Sequence, residues 1–203
     1  MSWNEHDLKL LVKYAAGRKF IIETGGGIST IKLSKVARKY KSIMVSIEVD
    51  TNRTKCIKGV DHQIGWSIEY DDIIKKEDPQ FKEAEARYYY KDRDVVYLGQ
   101  DYMVGERDLI RKSIKKYGSS PDFFFCDTGE YCGLSEWNIV KGIIPINGIF
   151  ACHDIYYPKS VKCFQVAKEI SLSEQWKILK QTKSRQGLLI AKKVKEYAKD
   201  AET

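Results

Sequence analysis

Proline is scarce in this chain, four in 203 residues, and the four are scattered rather than gathered into a linker. Nothing therefore marks a domain boundary, and the length suits one domain around one sizeable core. Long apolar runs are also missing. The run from Gly142 to Cys152 is broken by Pro145 and Asn147 and falls far short of the roughly 20 residues that cross a bilayer. Met1 to Asp7 has neither the basic start nor the apolar stretch of an export signal, so a cytoplasmic location is expected. Cysteine is present without a pattern: Cys56, Cys126, Cys132, Cys152 and Cys163 are odd in number and include no Cys-x-x-Cys pair. That argues for buried thiols in a reducing compartment rather than disulfides or a zinc site.

Hydrophobic residues make up 43% and charged residues 31%, which excludes a disordered chain. The net charge of +7 and pI of about 9.0 favour anionic partners. Much of the excess sits between Lys177 and Lys199, where a solvated face explains it, so a nucleic-acid partner is not the favoured expectation. Oligomeric state is not encoded in any pattern found here.

Strands alternate with helices along the chain. Leu8, Leu11, Val12 and Ala15 share one face of a helix expected from Asn4 to Ala16, with Gly17 as its C-terminal cap. Lys19 to Ile22 reads as a buried strand entering a glycine cluster, Ser29 to Tyr40 as a helix, and Ile43 to Glu48 as the next strand. Strand character returns at Asp94 to Leu98, Pro121 to Cys126 and Ile146 to Cys152, with helices expected near 105–117, 134–142 and 159–170. Trp176 to Leu179 and Gly187 to Ala191 flank a polar turn, a hairpin signal. The stretch from about 51 to 93 reads as an insertion carrying one or two helices and forming part of a substrate pocket. The expected fold is α/β: a mostly parallel sheet with helices on both faces, closed by an antiparallel C-terminal pair.

Glu23-Thr24-Gly25-Gly26-Gly27-Ile28-Ser29-Thr30 lies where a parallel strand gives way to a helix, the place where open α/β sheets bind ligands. Glycines there admit positive φ and close approach, and the free amides of the helix N-terminus face the same crevice. Glu48 ends the following strand, at a spacing close to the roughly 20 residues expected of an acid that binds ribose hydroxyls. Two ribose-bearing cofactors compete, a nicotinamide dinucleotide and S-adenosylmethionine. The dinucleotide fingerprint needs a third glycine where this chain has Thr30, and Glu23 would repel a pyrophosphate. The same acid suits the positively charged amino and sulfonium groups of S-adenosylmethionine.

The turn resembles the Glu-x-Gly-x-Gly-x-Ser-Thr form of motif I in class I methyltransferases, and Ser46 to Asp50 resembles their second motif. Phe123 to Asp127 and Gly148 to Asp154 are similar to the fourth and fifth strands of the branch that holds the catechol- and macrocin-type small-molecule O-methyltransferases. The likeness covers about 18–50 and 94–191. It implies a Rossmann-like seven-stranded sheet and S-adenosylmethionine as cofactor. The turn from Glu23 to Thr30, including Thr24, Gly25, Gly26, Gly27 and Ser29, would hold the methionine moiety, and Glu48 the ribose. Gln100 and Asp101 would lie near the adenine, with Asp127 at the same edge.

Asp127, His153 and Asp154 should open onto that edge and are the candidates for acid-base work on an acceptor hydroxyl. They could also gather a divalent ion, but the chain lacks the Asp-Asn pair of the catechol-type enzymes, and no metal is favoured. A purely structural role stands beside this one, with Asp154 capping a turn and His153 bonded to a carbonyl. Trp66, Tyr70, Tyr88, Tyr102, Tyr131, Tyr156 and Tyr157 are available to line an acceptor pocket for a small molecule. His6 and His62 are expected at the surface.

Overall fold

The computed structural model describes residues 3–49, 57–69, 72, 106–129, 132–156, 162–184 and 187–197. Its first helix, α1 (Glu5–Ala15), starts at Asn4, whose side chain accepts a hydrogen bond from the His6 amide at 2.9 Å, and Gly17 follows its end at φ +78°. Then come β1 (Phe20–Thr24), α2 (Ile28–Tyr40) and β2 (Ile43–Glu48). The chain continues through β3 (Asp61–Ile64), α3 (Leu109–Tyr117), β4 (Phe123–Cys126), α4 (Gly133–Val140) and β5 (Ile149–His153). Last are α5 (Phe164–Leu172), β6 (Trp176–Gln181) and β7 (Leu188–Lys193).

The strands form one seven-stranded sheet in the order β3-β2-β1-β4-β5-β7-β6. The first five are parallel, and β7 runs antiparallel between β5 and β6. This is the α/β architecture expected from the alternation of elements, closed by the expected hairpin. Chain order reverses between β1 and β4, so the C-terminal ends of these two strands border the crevice where such sheets take ligands.

Strand side chains alternate between two cores. Ile22, Val45, Phe124 and Phe150 pack with Trp137 of α4 and Trp176 of β6 on one face. Ile21, Met44, Phe123 and Phe125 pack with Leu11 of α1 and Leu33 of α2 on the other. Phe123, Phe124 and Phe125 are each fully buried, which is why a run with no polar alternation forms a central strand. Each contributes about 2 to 3 kcal/mol of burial. The Trp137 indole stands edge-on to Phe150, ring centroids 4.7 Å apart, and its N–H donates to Glu169 at 2.8 Å. Asp7, though on a helix otherwise exposed at its polar face, is buried and accepts from the Ser184 hydroxyl, tying α1 to the turn between β6 and β7.

One element differs from expectation. The strand that pairs with β2 is Asp61–Ile64, inside the stretch read as an insertion. The expected strand at 94–98 lies outside the described residues. β3 carries no apolar signal: as an edge strand it is half-buried at best, and polar contacts hold it where apolar burial does not. Oδ2 of Asp61 accepts from Gln63, from Lys116 and from the Tyr117 hydroxyl, each at 2.9 Å, so the strand is pinned to α3. His62 is not a free surface residue either, since its Nε2 accepts from the Ile57 amide at 3.0 Å. Among the described residues, no helix is long and apolar enough to cross a membrane.

Candidate active site

Glu23 and Thr24 are neighbours at the end of β1 and therefore face opposite sides of the sheet. The Thr24 hydroxyl donates to Oε2 of Glu136 at 2.7 Å, and Ser67, just after β3, donates to Oε1 of the same residue at 2.5 Å. Glu136 sits on α4 with no exposed surface. Burial pushes its pKa up, against the opposing effect of the Ser67 and Thr24 hydroxyls. The Thr24 side chain, expected around a methionine moiety, is thus committed to the fold, and only its backbone borders the turn.

Glu23 points to the other face. It is fully buried, and its Oε2 lies 3.4 Å from the hydroxyl of Ser46, its partner across β2. Burial raises the Glu23 pKa to about 8; the nearby Ser29 and Thr30 hydroxyls pull it down, and the Asp127 charge pushes it further up. Although those hydroxyls are close, Oε1 of Glu23 and Oγ of Ser29 make no aligned hydrogen bond. Two buried polar atoms at a glycine turn thus await partners.

The three glycines differ in what they do. Gly25 has φ +81°, and a Cβ there would lie 2.0 Å from the Asp127 carbonyl oxygen. Its amide donates to Ile47 O at 2.9 Å, and the Asp127 amide donates to Thr24 O at 2.9 Å, so β2, β1 and β4 meet at this turn. The chain just after β4 therefore already demands glycine at 25. Gly26 lies beside Glu48, whose Cβ would be 3.5 Å from a Cβ at 26. At Gly27 a Cβ would meet nothing within 4 Å, and its amide donates to Thr30 Oγ1 at 2.8 Å, closing the first turn of α2. Thr30 therefore shapes the turn. Glu48 is buried at the end of β2, and its Oε1 accepts from the Val49 amide at 2.8 Å. The sequence pairing of Glu48 with the glycines is a spatial one.

At the ends of β4 and β5, Asp127, His153 and Asp154 come together. One ligand atom from each lies within 4.8 Å of the others. Nδ1 of His153 is 2.9 Å from Oδ1 of Asp154 and 3.7 Å from Oδ1 of Asp127. The first contact pairs the two groups electrostatically, although its angle leaves Oδ1 of Asp154 without an aligned hydrogen bond. Asp154 adopts φ +62°, the left-handed conformation that turns its carboxylate back onto the histidine. Burial would raise its pKa, but contact with His153 and the Lys162 charge outweigh burial and hold it at about 2. For Asp127 the balance is the reverse: burial raises its pKa more than Lys162 and His153 lower it.

Two residues without a distinguishing sequence signal complete this cluster. Lys162 joins Asp127 and Asp154 through its ammonium group, at 2.7 and 2.6 Å. Trp3 stacks on the His153 ring, centroids 4.4 Å apart at 21°, with Phe125 beside it at 5.6 Å. Nδ1 of His153 thus faces the two carboxylates, at 2.9 and 3.7 Å.

Of the expected pocket residues, Trp66 is buried in the core, and Tyr156 braces the β6–β7 turn by donating to Thr182 O at 2.8 Å. Gln100, Asp101, Tyr70, Tyr88, Tyr102, Tyr131 and Tyr157 lie outside the described residues. A cavity of about 480 Å³ between β3 and α3 is lined by His62, Glu106, Lys112 and Lys116 among others, and contains none of the expected site residues.

No protein-family model matches the chain, and no curated protein matches it. Solved structures do. The O-methyltransferase TomG from Streptomyces achromogenes, involved in tomaymycin synthesis and solved in complex with S-adenosylmethionine, superposes with a TM-score of 0.58 at 12% identity, over 96% of this chain and 82% of that one. An O-methyltransferase from Bacillus cereus, in complex with S-adenosylhomocysteine, gives 0.55 at 14% identity over 95% and 82%. A protein described as a ribosomal RNA methyltransferase, from Plasmodium falciparum, gives 0.52 at 15% identity over 96% and 99%. With the strand order above, these likenesses show that the chain has the Rossmann-like fold found in those methyltransferases.

Proposed function

We propose that this protein transfers a methyl group from S-adenosylmethionine to a hydroxyl of a small molecule. One observation carries the reading. The adjacent parallel strands β2, β1, β4 and β5 each bring an acid or an imidazole to the same edge of the sheet, as Glu48, Glu23, Asp127 and His153 with Asp154. The structural neighbours that carry S-adenosylmethionine or its product support the choice of cofactor.

The residues at the turn fit such a ligand. The unpartnered Oε1 of Glu23 and Oγ of Ser29, with open space over Gly27, suit an amino-acid moiety. Glu23 would accept from its ammonium group, and the first amides of α2 would receive its carboxylate. Glu48 would accept from the ribose hydroxyls. When bound, the cofactor supplies an electrophilic methyl group on a sulfonium.

The chain's own part in the reaction is to hold a hydroxyl in line and take its proton. His153 Nε2 is the base, Asp154 lies 2.9 Å from Nδ1 of the same ring and pairs with it electrostatically, and Trp3 covers one face of the imidazole against water. A small acceptor agrees with that covered histidine better than a macromolecule does. The odd cysteine count agrees with the proposed cytoplasmic location.

Calorimetry tests the reading. S-adenosylhomocysteine should bind and NAD should not; failure of the former to bind at high micromolar concentration would refute the proposal.

A further inference from the structure

The cluster of Asp127, His153 and Asp154 has the composition and spacing of a divalent-cation site, yet a cation is already built into it. Nζ of Lys162 lies 2.7 Å from Oδ1 of Asp127 and 2.6 Å from Oδ2 of Asp154, so one ammonium group joins the two carboxylates. The lysine is only 8% exposed. Its backbone is also gripped. A Cβ on Gly133 would fall 2.2 Å from the Lys162 carbonyl oxygen, and the next amide, that of Cys163, donates to Asp154 O at 3.3 Å. Lys162 therefore enters the cluster from a fixed base, wedged between the start of α4 and the residue it pairs with.

We infer that Lys162 stands in for a divalent metal, so that this site works without one. A metal ion could enter only by displacing a buried ammonium from both carboxylates. That cost opposes any gain from coordination. The resident ammonium meanwhile does for the carboxylates what a metal would do: it puts one positive charge between two acids and holds them together, and Asp154 faces His153. Lys162 is a positioning residue, acting through Asp154. The inference concerns cation occupancy and does not depend on which group the enzyme transfers.

Manganese(II), which accepts mixed carboxylate and imidazole ligands, is the probe, followed by calorimetry and by its paramagnetic resonance signal. The wild-type protein should take up no Mn²⁺ at millimolar concentration, and chelator treatment should leave its affinity for S-adenosylhomocysteine unchanged. Lys162→Ala and Lys162→Ser, checked for folding by circular dichroism, should gain a Mn²⁺ site, and adding Asp154→Asn should abolish the gain. Mn²⁺ binding by the wild type that is lost in Asp154→Asn overturns the inference, and this measurement needs no lysine variant. Failure of both folded lysine variants to bind Mn²⁺ overturns it too. Either failure would leave binding of S-adenosylhomocysteine, and with it the methyltransferase reading, untouched.

Discussion

Gly25 lies against the backbone of Asp127 so closely that a Cβ on it would stand 2.0 Å from the Asp127 carbonyl oxygen. Strain at φ +81° adds to this clash. Gly25→Ala should therefore destabilise the protein by about 3 kcal/mol or more in denaturant unfolding, and should displace Asp127. Gly27 offers the contrast, because its Cβ direction is open. Gly27→Ala should change stability by about 1 kcal/mol or less yet weaken binding of S-adenosylhomocysteine, since the added methyl group occupies the space assigned to the ligand. Equal effects on stability from both variants would contradict this division of roles.

The buried Glu23 should make stability fall as pH rises. Its pKa is about 8 in the fold against 4.5 for the free side chain, so between those values the native state holds a proton that the unfolded state has released. Stability drops through that window and levels off above pH 8, the reverse of the usual carboxylate behaviour. Glu23→Gln should remove the drop, which urea unfolding at a series of pH values will read. A ligand ammonium beside Glu23 favours the ionised form. Binding of S-adenosylhomocysteine should then release a proton below pH 8 in the wild type and none in Glu23→Gln, measured by calorimetry in buffers of different ionisation enthalpy.

His153→Ala should lower turnover by about 10²- to 10⁴-fold, the range for loss of a general base. Affinity for S-adenosylhomocysteine should stay as it is, because the turn between β1 and α2 does not use the imidazole. A parallel loss of turnover and affinity would mean that His153 only supports the loop. Asp154→Asn should also lower turnover while sparing affinity for S-adenosylhomocysteine, since the carboxylate charge 2.9 Å from the His153 ring is gone.

Glu136 takes hydrogen bonds from Thr24, at the end of β1, and Ser67, just after β3, both far from it in sequence. Glu136→Ala should leave both hydroxyls buried without an acceptor and cost about 3 kcal/mol of stability. Glu136→Gln, which keeps an acceptor oxygen, should cost less. The measurement is thermal unfolding of the two variants side by side.

Much of this architecture was legible because its signals are local. Apolar runs marked β1, β2, β4 and β5, helical spacing marked α1 and α2, and glycines next to a strand end marked the turn. β3 was not legible, because Asp61, His62 and Gln63 carry no apolar pattern and owe their place to α3. The same holds for the site. Glu23, Glu48, Asp127, His153 and Asp154 could be read as strand-end residues, whereas Trp3, Glu136 and Lys162 belong to no motif and no strand end.

By itself the sequence determined which strands are buried on both faces, where the chain must turn on glycine, and that acids stand at the ends of β1, β2 and β4. These follow from hydrophobic periodicity and backbone freedom, which act over a few residues. Only the tertiary structure decided that Thr24 serves Glu136, that Trp3 covers His153, and that Lys162 fills the space between Asp127 and Asp154. A buried charge must find its partner wherever the folded chain brings one, and Lys162 finds Asp127 from 35 positions away.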